Sequence, residues 1–317
     1  MKPKISIIIP VFNRESLIKA TIDSIKAQSY RDFECLLIDD HSSDNTVNVM
    51  EKVVEDDVRF KVLKRQPDYL KGPAGCRNMG LDIATGTYIQ FFDSDDLMHP
   101  DHLKLKIEAY SENIDLVVCK LGEFKDNDPK ILFSISNIDD KGKLISHISG
   151  EVNYYLPGPM WKRKVIGDDR FHTDIKIYED LLFNLINRKK CSNIHLIDNP
   201  LIYYRRHEDS TTGLATKNVA LLEQKRLAWK YMYEVMTEDN LSYTEDKNVR
   251  SYFFDRSCLN LYYILSQQSL ILGLRHFKDI FFYASSLKHF IIIIKLIISS
   301  PLAYFFSKGY KLFKVKT

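Results

Sequence analysis

Apolar and polar positions alternate along the first part of the chain in blocks that predict strands and helices in turn. Residues 4–11 and 33–38 are runs dominated by apolar side chains, a pattern typical of strands buried on both faces of a sheet. Residues 16–28 carry apolar side chains at helical spacing, and a second helix at 46–54 precedes a third strand at 60–63. This regular alternation predicts an α/β fold with a mainly parallel sheet.

The character of the chain changes after residue 215. Residues 219–236 and 249–272 predict long helices rich in aromatic side chains, and residues 281–306 contain an apolar run interrupted by Lys295. We therefore divide the chain into a sheet-containing domain at 1–215 and a helical C-terminal region at 216–317.

Composition and charge refine this division. The chain is 45% apolar and 27% charged, as expected of a folded protein. Its formal charge is only +3, yet residues 280–317 contain six lysines and no acidic residue. A spanning helix needs about 20 apolar residues, so we interpret this basic, apolar segment as lying in the membrane interface. A buried helix or a dimer contact is the alternative, and nucleic-acid binding is not supported because the basic residues follow no aromatic-studded groove.

The cellular compartment is suggested by the cysteines and the N-terminus. The five cysteines are odd in number and widely spread, which favours a reducing compartment over a disulfide framework. The N-terminal apolar run is short and leads into a polar helix, so it is interpreted as a strand and not as a signal peptide. We expect a cytoplasmic protein, held peripherally on the inner face of the cell membrane by its C-terminal segment.

An acidic cluster ends the strand predicted after Tyr88. Asp93, Asp95 and Asp96 follow its apolar residues within a few positions. Carboxylates gathered at the end of a buried strand need a cation. Mg²⁺ or Mn²⁺, held by one or two carboxylates and the phosphates of a substrate, suits such a place. A polar turn that caps the next helix, with Asp95 or Asp96 as N-cap, is the alternative.

Other polar groups are expected to meet this cluster. Ligands of parallel sheets bind beyond the carboxyl ends of the strands, and Pro10-Val11-Phe12-Asn13 and Asp39-Asp40 end two of the predicted strands. The glycine-rich stretch at 72–80 opens a helix, whose backbone N–H groups could hold an anion, and its Arg77 could clamp a phosphate. These groups together predict a metal and nucleotide site.

The order of these motifs resembles the family-2 glycosyltransferases of the GT-A fold, inverting enzymes that use nucleotide-activated sugars. The resemblance covers about the first 215 residues and makes them the catalytic domain. It implies that Pro10, Phe12 and Asp39 line the nucleobase pocket, that Arg77 lies near the base and phosphates, and that Asp93 lies near the ribose. It implies that Asp95 binds the metal. Asp96 would either help to hold the loop or bind the metal in place of Asp95. The full predicted nucleotide-sugar site comprises Pro10, Val11, Phe12, Asn13, Asp39, Arg77, Asp93, Ser94, Arg206 and Ser210.

Two later stretches extend the resemblance. Glu179 and Asp180 begin an apolar helix, where acids are also favoured by the helix dipole. Inverting transfer needs a carboxylate that accepts the proton of the attacking hydroxyl, and the resemblance implies that Asp180 is this base, with Glu179 orienting it or the acceptor. After the strand predicted at 196–204, the resemblance implies a metal ligand at His207 and phosphate contacts from Arg205 or Arg206 and from Ser210.

The sequence thus predicts a glycosyltransferase that uses Mn²⁺ or Mg²⁺. The resemblance implies a UDP-sugar donor and a glycan or lipid-linked acceptor in the synthesis of capsule, O-antigen or other surface polysaccharide. Two alternatives stay open: a sugar-phosphate nucleotidyltransferase, and a non-catalytic, membrane-bound scaffold that binds a nucleotide sugar. A nucleotidyltransferase would be expected to carry a basic, glycine-rich loop after its first strand. This sequence has Pro10-Val11-Phe12-Asn13 there instead.

Overall fold

A computed structural model describes residues 4–124, 155–205, 218–238, 243–267 and 269–306. The chain divides into two compact units. Unit 1 comprises Met1–Asp174 and Glu179–His207, and unit 2 comprises Ile175–Tyr178 and Glu208–Thr317. The domain boundary predicted at residue 215 lies outside the described residues and stays a prediction.

Unit 1 is built on one mixed sheet, in which the described strands follow the order β3-β2-β1-β4-β7-β6-β8-β5. Its first half is parallel as predicted, since β1 pairs in parallel with β2 and β4, and β2 with β3. Strand β7 runs antiparallel to both β4 and β6. The strands are β1 (Ile5–Val11), β2 (Phe33–Asp39), β3 (Phe60–Lys64), β4 (Tyr88–Phe91), β5 (Leu97–Met98), β6 (Leu116–Phe124), β7 (Pro159–Lys162) and β8 (Ile194–Arg205).

Apolar side chains cover both faces of the parallel strands. In β1, Ile5, Ile7 and Ile9 belong to one buried cluster and Ile8 to the other. This explains why a continuous apolar run, without polar alternation, forms this strand. The helices of unit 1 are α1 (Ile18–Lys26), α2 (Thr46–Val54), α3 (Pro73–Ile83), α4 (His102–Glu108), α5 (Arg163–Ile166) and α6 (Glu179–Lys189).

Helix α3 packs unusually close to the sheet because of a glycine. A Cβ atom added at Gly80 would lie 2.3 Å from Cγ2 of Ile8 and 3.0 Å from Cδ1 of Ile38. The helix begins at Pro73, so most of the glycine-rich stretch is itself helical. Arg77 therefore lies on a helix that is fixed against β1 and β2.

A polar network crosses the core beside β4. Lys106 is fully buried, and its Nζ donates to Oε1 of Gln90 (2.8 Å) and to the carbonyl of Gly158 (2.7 Å). Burial lowers the pKa of Lys106 to about 8. Trp161 is also fully buried and belongs to the core.

The described residues of unit 2 from 218 onward are mostly helical. One prediction is wrong here: the helix expected at 249–272 is two helices, because the first ends at Ser266 and the next begins at Leu270. Arg226 connects two of them through ion pairs with Glu223 and Asp279, both 2.9 Å. No helix in the described part of the chain has the length and apolar character needed to cross a membrane. The helices are α7 (Val219–Thr237), α8 (Tyr243–Ser266), α9 (Leu270–Tyr283) and α10 (Leu287–Phe306).

Candidate functional site

The carboxyl ends of β1 and β2 lie side by side and are joined by polar contacts. Val11 is in register with Asp39, whose buried carboxylate accepts from the backbone N–H of Ser42 through both oxygens (3.2 and 3.1 Å). Asn13 has a positive φ of 50°, and its Oδ1 accepts from the N–H of Ser43 at 2.8 Å. The two strand ends therefore form a pre-arranged polar surface, as the sequence predicted.

Side chains of the first strand end differ in their accessibility. Phe12 is 43% exposed, and Nζ of Lys71 lies 5.5 Å from its ring centroid. Pro10 is half-buried, whereas Val11 is packed in the core. Phe12 is thus the aromatic surface available to a planar ligand, and Val11 offers a ligand no side-chain surface.

The acidic segment after β4 is held by backbone contacts. The hydroxyl of Thr21 donates to the carbonyls of Ser94 (3.1 Å) and Asp96 (2.9 Å), and the guanidinium of Arg205 donates to the carbonyl of Asp95 at 2.8 Å. These contacts fix the backbone from which the carboxylates project, although the segment follows a strand of only four residues.

Asp96 holds this loop and is closed to ligands. It is fully buried, and one carboxylate oxygen accepts from the N–H of Arg205 at 3.0 Å. Burial, together with the charges of Asp93 and Asp95, keeps the pKa of Asp96 well above its usual range. Of the two roles that the sequence allowed, the structure supports the loop-holding one.

Asp95 is paired with a cation that sequence reasoning did not identify. Its Oδ2 lies 3.3 Å from Nη2 of Arg14, and its side chain is 15% exposed. The N–H of Arg14 is itself fixed by the hydroxyl of Thr46 at 2.7 Å. A guanidinium thus lies beside the carboxylate for which the sequence predicted a metal ion.

Arg77 joins the end of β4 to the start of α6. It is 6% exposed, and its guanidinium contacts Oδ1 of Asp93 (3.0 Å) and Oε1 of Glu179 (3.2 Å). Burial disfavours its charge, but the charges of Asp93, Glu179 and Asp180 outweigh this effect and raise the pKa of Arg77. The sequence proposed a phosphate contact for Arg77, and the structure places it between carboxylates.

The acidic pair lies at the first turn of α6, as predicted. Glu179 is buried, and this burial together with the charge of Asp180 raises its pKa to about 7, although Arg77 opposes the shift. Asp180 is half-buried, and its Oδ1 accepts from the N–H of Leu181 at 2.8 Å. The two neighbouring acids therefore differ: Asp180 is open to a ligand, and Glu179 is enclosed behind it.

The two acidic regions of the sequence form one electrostatic cluster. The pKa of Asp93 is raised by burial, lowered by Arg77 and raised again by the charges of Asp95 and Asp180. The contacts of Arg77 with Asp93 and with Glu179 bring the segment of Asp95 and the segment of Asp180 together, although 84 other residues separate these two acids in the sequence. This meeting of distant acids is the feature on which the predicted site depends.

The predicted metal site can be tested only in part. Among the described residues, no three or more His, Cys, Asp or Glu side chains are grouped so that they could hold a metal ion. Asp95 fits a site of another kind, in which one carboxylate and the phosphates of a substrate share the cation. Its present partner, Arg14, shows that this carboxylate does accept a positive charge. Arg206, His207 and Ser210 lie outside the described residues.

Comparison with known proteins shows which family the chain belongs to. The family described as glycosyl transferase family 2 matches residues 6–207. A Campylobacter jejuni protein, GalNAc(5)-diNAcBac-PP-undecaprenol β-1,3-glucosyltransferase, is 29% identical over 266 residues, which cover 82% of this chain and 81% of that protein.

Solved structures agree with this match. The structure of TarS 1–349 from S. aureus in complex with UDP-GlcNAc has a TM-score of 0.67 at 19% identity and covers 98% of this chain and 89% of its own. The mannosyltransferase PcManGT from Pyrobaculum calidifontis, in complex with GDP-Man and Mn²⁺, has a TM-score of 0.56 at 14% identity, with coverages of 98% and 89%. These likenesses confirm the predicted GT-A fold, with helices flanking the sheet and a helical C-terminal region; the sheet itself is mixed, whereas a mainly parallel one was predicted.

Proposed function

Because this chain belongs to glycosyl transferase family 2, we propose that it transfers a sugar from a UDP-sugar to a hydroxyl of a glycan or lipid-linked acceptor, with inversion. The UDP-GlcNAc complex of TarS supports the donor class. The Campylobacter relative, named for an acceptor on PP-undecaprenol and for a β-1,3 product, supports the acceptor class and the inversion of an α-linked donor.

The observation that carries the proposal is the buried guanidinium of Arg77, which contacts Asp93 of the acidic segment after β4 at 3.0 Å and Glu179, the neighbour of Asp180, at 3.2 Å. A sugar nucleotide bound along the strand ends would place its base at Phe12 and Asp39 and its diphosphate toward Asp95. Its sugar would then lie toward Asp180. Asn13, Ser94 and the backbone at Pro10 and Val11 are proposed to contact the same donor.

Asp180 is proposed as the general base. The acceptor oxygen forms a bond to the anomeric carbon while the bond from that carbon to the diphosphate oxygen breaks. The hydroxyl proton passes to Asp180, and UDP leaves with the bonding electrons. Glu179 is enclosed and paired with Arg77 at 3.2 Å, so it serves as a positioning residue rather than as the base.

A divalent cation, Mn²⁺ or Mg²⁺, is proposed at Asp95, with His207 as a further ligand. When bound, the cation supplies positive charge to the departing diphosphate, which then needs no protonation. The Mn²⁺ complex of PcManGT supports this assignment. Arg14, Arg206 and Ser210 are proposed to contact the same phosphates from the protein side.

We also propose that the enzyme works as a peripheral protein on the cytoplasmic face of the membrane. A lipid-linked acceptor is held at such a surface. Helix α10 presents apolar side chains and lysines to its surroundings, which is the composition of a helix lying in a membrane interface.

The test is a panel of UDP-sugars and GDP-mannose, each with and without Mn²⁺, read by thermal shift and by nucleotide release. A stabilising UDP-sugar whose hydrolysis or transfer releases UDP is expected. Asp180→Asn should lower turnover by about 10²- to 10⁴-fold while donor binding persists. Release of pyrophosphate from an NTP, or full activity in Asp180→Asn, would contradict the proposal.

A further inference from the structure

Helix α10 of unit 2 has an unusual outer surface. Its buried side contains His289, Ile293 and Leu296. An amphipathic helix would carry polar residues on the other side. In α10, however, five apolar side chains are about half exposed or more. They are Phe290 (49%), Ile291 (48%), Ile294 (58%), Ile297 (53%) and Ile298 (71%).

Helix α9 continues this surface. Leu270, Leu274 and Phe281 recur at helical spacing and are 54%, 62% and 49% exposed. Exposed apolar surface that is continuous over two helices marks an interaction site. The sequence pointed only to residues beyond 280, whereas the structure adds the N-terminal half of α9.

A groove opens between the two helices. It encloses about 500 Å³, within the size range of small-molecule sites. Its walls include Leu270, Leu274 and Phe281 from α9 and Ile297 and Ser300 from α10.

The groove offers almost no hydrogen bonds. Its lining is apolar except for Ser300, whose hydroxyl already donates to the carbonyl of Leu296 at 2.6 Å. A peptide placed here would bring backbone N–H and C=O groups that need partners. A hydrocarbon chain needs none, so the chemistry of the lining favours a lipid chain over a protein segment.

The charges around the groove agree with a lipid. Lys288 and Lys295 are exposed on α10, and Lys278 is exposed on α9. Arg275, also exposed on α9, pairs with Glu223 at 3.5 Å. Residues 280–317 contain no acid, and Asp279 is paired with Arg226. An anionic headgroup would therefore meet positive charge beside an apolar groove.

We propose that the α9–α10 groove is a binding site for one hydrocarbon chain of an anionic lipid. This proposal rests on the membrane contact proposed above and makes it specific: the outer face contacts the bilayer, and a single chain enters the groove.

The test uses the full chain and cis-parinaric acid, a long-chain fatty acid that fluoresces in apolar surroundings, kept below its micelle concentration. We expect saturable binding of one molecule per chain. Leu274→Asp, at an exposed position in the groove wall, should weaken binding by at least about tenfold, because the lipid chain would meet a carboxylate. Leu270→Asp is the second groove variant, and circular dichroism checks that both variants fold.

The matched control is Ile298→Asp, which changes an exposed apolar residue of α10 outside the groove lining. It should leave fatty-acid binding unchanged but lower sedimentation with phosphatidylglycerol vesicles. No saturable binding, or equal losses in Leu274→Asp and Ile298→Asp, would overturn the groove proposal. Saturable binding without vesicle sedimentation would refute the bilayer contact, and the sugar panel tests glycosyl transfer independently of both.

Discussion

Replacing Glu179 by glutamine should stabilise unit 1 at alkaline pH, although it removes a charged partner of Arg77. Glu179 is buried at the start of α6 beside Asp180, and its pKa is raised to about 7 by burial and by that neighbouring charge. The attraction of Arg77 at 3.2 Å lowers the pKa of Glu179 but does not offset this increase. Ionisation of Glu179 therefore costs the folded state more than it costs the unfolded chain.

The magnitude follows from the two pKa values. An increase from 4.5 to about 7 corresponds to about 3 kcal/mol between the two protonation states. The folded chain binds more protons than the unfolded chain between these pH values, so stability is lost as the pH rises through this window. Glutamine does not titrate. As the pH is raised from 5 to 8, the free energy of unfolding of the variant should therefore increase by about 2 to 3 kcal/mol relative to that of the wild type.

Urea denaturation at pH 5 and pH 8 measures this difference. Trp161 is buried in unit 1, and its fluorescence in a Trp229→Phe background reports that unit separately. Glu51→Gln, on the exposed side of α2, is the matched control and should show no such gain. The stability of Glu179→Gln relative to the wild type is compared at the two pH values. If this relative stability is no higher at pH 8 than at pH 5, the raised pKa of Glu179 is refuted.

Two further predictions concern Arg14 and Gly80. Arg14→Gln should tighten the binding of Mn²⁺ to the protein without nucleotide, because it removes the cation that lies 3.3 Å from Asp95; electron paramagnetic resonance of free Mn²⁺ measures this, and unchanged affinity would contradict it. Gly80→Ala should lower the free energy of unfolding of unit 1 by about 1 to 3 kcal/mol, since the new Cβ would lie 2.3 Å from Ile8. Urea denaturation tests it, and a stability equal to that of the wild type would show that α3 can move away from β1.

The parallel half of the sheet could be predicted from sequence because each strand there carries its own signal. Residues 5–11 are apolar apart from Ser6 and do not alternate with polar residues, a pattern typical of a strand covered on both faces. The antiparallel strand β7 gave a weaker signal, because its four residues include Pro159 and follow a glycine. The break between α8 and α9 was missed although Ser266 and Ser269 flank it, since apolar residues on both sides suggested one helix.

The acids of the site could be predicted, but their partners could not. Asp39 and Asp93 follow strands, and the carboxyl ends of parallel strands share an edge, so local pattern was sufficient for them. Arg77 meets Glu179 across 102 positions of the sequence. No spacing rule reports such a contact, because it depends on how α3 packs on the sheet and on where α6 begins.

This difference changes how the charge of the site is understood. From sequence, the carboxylates needed a metal ion because no cation was evident beside them. Among the described residues, guanidinium groups lie beside them: Arg77 contacts Asp93 and Glu179 from a buried position, and Arg14 contacts Asp95 from a more exposed one. The buried Arg77 links Asp93 and Glu179, two acids that are distant in the sequence. A divalent cation bound at Asp95, as proposed above, would therefore compete with Arg14 and not with Arg77, and the displaced guanidinium would be free to contact the diphosphate of the donor.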